Sequence, residues 1–171
     1  ITNYGYTTDS GTTWTAIGST TSPQTISGLA NGTLYQIALR ALNSQGWSTG
    51  STSSTGTPRT VPGAPTAVSG AAGNGQVTVS WTAPASNGGA SVDSYTVTSS
   101  PGSFSCTATA PSTSCTVSGL TNGTAYTFTV KAWNIAGASS ASTASSSVTP
   151  YTTPGAPTAV SGAAGNGQVT V

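Results

Sequence analysis

Across 171 residues the chain carries three Lys or Arg and two Asp, a formal net charge of +1, and no His, Glu or Met. The cations Arg40, Arg59 and Lys131 are scattered, so they make no electrostatic footprint for nucleic acid or an anionic membrane. Asp9 and Asp93 fall in different parts of the chain, which leaves acid–base catalysis, an activated serine and a metal or cofactor site without the groups they need.

Ser and Thr make up roughly a third of the sequence and alternate with Val, Ala, Tyr and Phe, which is strand chemistry with a hydroxylated outer face. A disordered chain would instead combine high net charge with few β-branched or aromatic residues. No stretch approaches the roughly 18 apolar residues of a membrane-spanning helix, so no membrane insertion is expected.

From Ile1 the runs ITNYGYTT, TTWTAIGS, PQTISGL, TLYQIALRALN and WSTGSTSSTGT alternate in polarity, are bounded by Gly, Asn, Asp, Ser or Pro, and predict five short strands. Downstream, PTAVSGAA and QVTVSWTA flank the turn Gly73-Asn74-Gly75 and place two further strands ahead of a second such set. No segment sustains a 3.6-residue apolar period, so no helix is expected. Seven strands in about 90 residues predict an antiparallel sandwich.

Pro154–Val171, reading PGAPTAVSGAAGNGQVTV, repeats Pro62–Val79 letter for letter. Self-similarity at a fixed period marks a tandem array. Residues 1–58 are then the last five strands of one module, 62–150 a complete module, and 154–171 the first two strands of another. The chain is thus expected to begin and end inside modules, and the tail's strands to complete a head module by chain continuity or strand exchange. The joints Pro58-Arg59-Thr60-Val61-Pro62 and Pro150-Tyr151-Thr152-Thr153-Pro154 carry proline at both ends, which holds the backbone extended and predicts a stiff angle between modules.

Overlaying the modules matches Ser27-Gly28-Leu29-Ala30-Asn31-Gly32-Thr33-Leu34-Tyr35 to Ser118-Gly119-Leu120-Thr121-Asn122-Gly123-Thr124-Ala125-Tyr126, followed by IALRALN and FTVKAWN. With the PGAPTAV opening and the strand ending in Trp81, the whole chain resembles the fibronectin type III fold, in the Ser/Thr/Gly-rich form of bacterial extracellular proteins. The resemblance implies tandem immunoglobulin-like seven-stranded sandwiches, an extracellular or cell-surface location, and tyrosine corners at Tyr35 and Tyr126, whose hydroxyls would donate to nearby backbone. Spacing of i, i+2 independently places Trp81, Tyr95, Tyr126, Phe128 and Val130 in one core, and Tyr4, Tyr6, Tyr35, Ile37 and Leu39 in another.

Cys106 and Cys115 flank a short turn in a stretch that reads as two adjacent strands joined by Ala110-Pro111-Ser112. A disulfide there closes a loop of about ten residues and contributes on the order of 2.5 kcal/mol. A metal site would need further Cys or His, and a reduced pair would suit a cytosolic protein better than this composition. Asn31-Gly32-Thr33 and Asn122-Gly123-Thr124 fit the acceptor pattern for N-linked sugar, while Asn-Gly is also the turn such a corner requires; the turn is the preferred reading. The Ser/Thr runs 48–57 and 139–149 are candidate sites for hydroxyl-linked sugars. Trp47 and Trp133 read first as surfaces for a module junction or an assembly contact, with incidental packing and then a sugar as the alternatives.

Soluble sheets usually guard their edge strands with charge, and this chain has almost none to place there. The first expectation is therefore a structural subunit of an extracellular filament, sheath or surface appendage, its partners being other copies of itself packed head-to-tail and laterally. The alternative is a spacer or accessory binding region of a larger secreted protein, a polysaccharide-degrading enzyme or adhesin that meets polysaccharide or cell wall, or a phage decoration protein.

Overall fold

Alternating residues resolve into strands and turns along the whole of residues 1–171, and the computed structural model contains no helix. The head holds β1 (Asn3–Thr7), β2 (Thr15–Ala16), β3 (Tyr35–Asn43), β4 (Gly46–Trp47) and β5 (Ser54–Gly56). The middle holds β6 (Thr66–Gly73), β7 (Gln76–Thr82), β8 (Val92–Ser100), β9 (Ser105–Thr109), β10 (Ser114–Ser118), β11 (Thr127–Asn134) and β12 (Gly137–Ala138). The tail holds β13 (Ala163–Gly165) and β14 (Gln168–Thr170).

The middle module is a sandwich of a three-stranded sheet, β10-β7-β6, and a four-stranded sheet, β12-β11-β8-β9. Its core follows from strand period. In β7, reading QVTVSWT, Val77, Val79 and Trp81 point inward while Thr78 and Ser80 face water. Across from them β8 and β11 contribute Tyr95, Val97, Phe128, Val130 and Ala132, with Leu120 and Tyr126 closing one end. Val77, Val79, Val97, Val117, Phe128 and Val130 are fully buried, and each stabilises the fold by about 1.5–3 kcal/mol relative to an exposed position. The Trp81 and Tyr95 rings meet at 5.2 Å between centroids.

The open edge of β11 is sealed by a run that does not follow strand period. Ser139, Ser142 and Ser145 are buried at every third position, the spacing of an extended polyproline-like strand. Each serine N–H donates to a carbonyl of β11, on Ala132, Val130 and Phe128 respectively. Each serine Oγ accepts from the N–H of that same β11 residue, at 3.0, 3.0 and 3.1 Å, so the hydroxyl stands where a ladder carbonyl would be. The hydroxyl proton goes to the next carbonyl along the run. Ser48 and Ser51 repeat the device against Ala41 and Leu39 of β3 in the head. Ser139, Ser142 and Ser145 are buried in this seal, whereas Ser48 and Ser51, and the neighbours Ser140, Thr143 and Ser146, are exposed.

The head is half a sandwich. Its sheet runs β2-β1-β3-β4, with β5 on the rest of β3, and segment 17–29, which forms no strand, lies over its inner face in place of a second sheet. The expected strand PQTISGL is absent and TTWTAIGS shrinks to Thr15–Ala16. In the middle module the matching strand β10 forms by pairing with β7. The predicted head core is correspondingly open: Leu39 is 46% exposed, and Tyr4, Tyr6, Tyr35 and Ile37 are only half-buried. In the tail, β13 and β14 pair with each other alone, and every residue from Tyr151 to Val171 is exposed.

Candidate functional site

With so few ionisable groups, the geometry that stands out is the joint between head and middle modules. Thr60 N–H donates to Gly88 O at 2.8 Å, and Gly63 N–H donates to Ser86 O at 2.9 Å. Asn134, at the end of β11, donates through its amide to Thr60 O at 2.9 Å and to Asn87 O at 2.8 Å, tying the linker to the β7–β8 loop. Gly32 of the head corner donates to Pro58 O at 2.9 Å. The corner then lies directly on Gly89: a Cβ there would fall 2.3 Å from Gly32 N, and one on Gly88 2.2 Å from Thr60 O. Both glycines have positive φ, so the backbones can approach this closely only because neither has a side chain.

The receiving loop and Asn134 together fasten the linker to the middle module. The second joint has the same prolines, with Gly123 N–H donating to Pro150 O at 2.9 Å and Tyr151 N–H donating to Gly73 O at 3.1 Å. Asn134 has a weak sequence signal, an alternation that points it inward where a polar side chain needs buried partners.

The corner tyrosines sit as their spacing implies, with one reversal. Tyr126 is buried and its phenol oxygen accepts from Thr121 N–H at 3.1 Å; Tyr35 accepts from Ala30 N–H at 2.9 Å. The hydroxyl is the acceptor in both bonds and not, as expected, the donor. Asn122 works as a turn residue: its Oδ1 accepts from Gly75 N–H at 2.8 Å and its Nδ2 donates to Asn74 Oδ1 at 2.8 Å. Its equivalent Asn31 is exposed and has no such loop to meet, lying instead against Gly89.

Cys106 and Cys115 form a disulfide with Cα atoms 6.2 Å apart. They are not cross-strand partners in one sheet. Cys106 lies on β9, at the edge of the four-stranded sheet, and Cys115 on β10, at the edge of the three-stranded sheet, so the bond clips the two layers together. The two strands are adjacent in sequence, and the short Ala110-Pro111-Ser112 connection crosses between layers.

Trp133 is 41% exposed on the outer face and donates through its indole to Thr96 Oγ1 at 3.1 Å. Trp47 is 37% exposed, yet its ring carries the Arg40 guanidinium 4.4 Å above it, and Trp14 takes the other side at 4.6 Å. This Trp14–Arg40–Trp47 stack joins residues remote in sequence, and it is held by cation–π attraction. Neither Trp47 nor Trp133 contributes a hydrogen bond to the joint.

A sandwich of three plus four antiparallel strands, with a tyrosine corner and serine-sealed edge, defines an immunoglobulin-like β module. The fibronectin type III domain family matches residues 63–148, and the chain belongs to that family. It is 38% identical over 156 residues to Endoglucanase B of Cellulomonas fimi, covering 84% of this chain and 14% of that protein. It is 35% identical over 125 residues to a Kelch domain-containing protein of Saccharolobus solfataricus, covering 72% of this chain and 17% of that protein. The chain therefore spans under a fifth of either relative. Among solved structures, titin domains align with a TM-score of 0.60 at 22% identity, over 88% of this chain and 55% of that one. The FN1–FN3 domains of chicken CNTN1 align with a TM-score of 0.52 at 18% identity, over 88% and 56%. At these identities the structural likeness concerns the fold alone.

Proposed function

We propose that this chain is a stiff, non-catalytic spacer within a larger secreted polysaccharide-degrading protein, setting the distance and angle between working domains. The observation that carries the reading is the similarity to Endoglucanase B along most of the chain, in a relative several times longer. The gripped joint supports it, because a spacer that fixes orientation needs modules that do not swivel. The Cys106–Cys115 disulfide suits an oxidising, extracellular setting. The test inserts this chain between an endoglucanase catalytic domain and a cellulose-binding domain and compares it with a Gly/Ser linker of equal span. Faster hydrolysis of insoluble cellulose with unchanged hydrolysis of soluble glucan supports the spacer; equal rates on both, or hydrolysis by the chain alone, count against it.

A filament subunit is the second reading, and the observation favouring it is the near-absence of charged side chains to guard the sheet edges. Ordered polymers with a regular repeat in electron micrographs of the purified chain would favour it over the spacer.

A further inference from the structure

The outer face of the sheet built on β11, and that of the sheet built on β3, each carry an indole over the same spot. In the middle module Phe128, Val130 and Ala132 point into the core, so Lys131 and Trp133 stand on the outer face. Trp133 pairs across strands with Ala138 of β12. Its indole N–H reaches Thr96 Oγ1 of β8 at 3.1 Å, which fixes the ring over the sheet and still leaves it 41% exposed. In the head the equivalent cross-strand pair is Leu42 and Trp47, so the tryptophan sits on the other strand. It covers Gly5, with ring carbons 3.1 and 3.3 Å from where a Cβ would stand. Gly5 pairs with Arg40 as Thr96 pairs with Lys131, so Gly5 and Thr96 hold the same place in their sheets. The indole therefore changes strand between modules and keeps its position on the face. A cation pairs with the covered residue each time, Lys131 in one module and Arg40 in the other.

We propose that these two faces bind a neutral polysaccharide, with Trp47 and Trp133 each stacking on a sugar ring. The C–H groups of a pyranose are slightly positive and suit the negative face of an indole. Around Trp133 the hydroxyls of Ser94, Thr96, Thr98, Thr107 and Thr129 point to the same side, on cross-strand neighbours about 4.8 Å apart. They can exchange hydrogen bonds with sugar hydroxyls. Charge selects the occupant: one cation on each face is too little for a polyanion, whereas an uncharged, hydroxyl-bearing polymer matches an almost uncharged, hydroxyl-bearing surface. Apart from its indole the middle face is polar, so it lacks the apolar centre that a protein partner would bury. In the head, Trp14 and Trp47 brace Arg40 from two sides, which fixes the direction of its donors. Because the two indoles stand on successive modules of one chain, a long polymer meets both, and its second contact is intramolecular. The choice of a glucan as ligand rests on the reading of the parent as a polysaccharide-degrading protein; the paired platforms rest on the geometry.

The test runs the 171-residue chain through native gels containing hydroxyethylcellulose and mixes it with microcrystalline cellulose, with polygalacturonate as the acidic comparison. Retardation by the soluble glucan and retention on cellulose are expected, and neither effect with polygalacturonate. Trp47→Ala and Trp133→Ala should each weaken binding at least about tenfold, and the double variant should abolish it, because both contacts act through one polymer. Thr96→Val keeps the Trp133 ring but removes the bond that orients it, and should weaken binding in the same sense. Tyr151→Ala removes a ring that is 64% exposed in the second linker, outside both faces, and should bind as the parent does. Unchanged thermal unfolding separates lost binding from lost fold; should the head need its Arg40 stack to fold, Trp133→Ala in the complete module decides alone. Equal binding by parent and tryptophan variants, binding to polygalacturonate only, or no binding of the parent to either cellulose would overturn the proposal. The spacer reading fails separately, since it is judged by whether the fused chain outpaces a Gly/Ser linker, and the double variant should keep that advantage.

Discussion

Gly89 and Gly32 meet backbone to backbone across the joint, so closely that a Cβ on Gly89 would lie 2.3 Å from the Gly32 nitrogen. No side chain yields at that contact, because both walls are main chain. Gly89→Ala also places alanine at a φ of +87°, which costs about 1–3 kcal/mol locally. The expected result is a head swung off the middle module. Nuclear Overhauser contacts between residues 31–32 and residue 89 disappear, while the resonances of Val77 and Phe128 hold. Retention of those contacts would mean that the joint does not depend on this approach.

Ser142 separates the sealing role of the third-residue serines from their mere abundance. Ser142→Ala leaves the buried Val130 N–H without an acceptor, an expected loss of about 1–3 kcal/mol in urea denaturation. Thr143→Ala, one residue along and exposed, should stay within about 0.5 kcal/mol of the parent. Equal effects would show that the hydroxyl position is immaterial.

Replacing both Cys106 and Cys115 by Ser should lower stability by about 2.5 kcal/mol, the loop-closure value for so short a ring. Because the bond joins edge strands of opposite layers, amide exchange should rise at both β9 and β10. A change at β9 alone would contradict the clip between layers.

Asp9 is held at a pKa of about 2, below its ordinary 3.8, chiefly by the Thr13 hydroxyl, then by the Thr13 N–H and the Thr7 hydroxyl. A depressed carboxylate favours the folded turn when ionised. Its contribution is therefore complete above about pH 4 and is lost as pH falls toward 2. A carboxyl-detected titration should show this midpoint, and Thr13→Ala should move it up toward 3.8. A midpoint already near 3.8 in the parent chain would contradict the turn as described.

Much of the fold was legible because strand period and burial coincide: Val77, Val79 and Trp81 alternate with hydroxyls, and the Leu120-to-Tyr126 spacing marks the corner. Three features were not. The layer crossed between Cys106 and Cys115 depends on which neighbours β9 and β10 choose, and those are β8 and β7, far along the chain. The sealing serines repeat every third residue, a period that neither strand nor helix predicts, inside runs where Ser and Thr occur everywhere. The Arg40 stack needs Trp14 and Trp47, brought together only when β1 and β4 flank β3. The joint was half legible: its prolines were visible, while its grip resides in Asn134 and a glycine loop that compositional reading treats as ordinary turn.

The serine seal also bears on how such arrays diverge. A conventional closing strand commits alternate side chains to the core and every second peptide to its neighbour. Here Ser139, Ser142 and Ser145 carry the attachment and the residues between them expose their side chains. Thr49-Gly50 in the head stands where Ser140-Ala141 stands in the middle module. The last spacing differs too, since Ser54 is followed by the Tyr35 partner at Gly56, and Ser145 by the Tyr126 partner at Val148. Two of every three positions along this edge can therefore drift, and a residue can be gained or lost, without unsealing the module. Mutational tolerance should be greatest along this edge and least at the glycines of the joint.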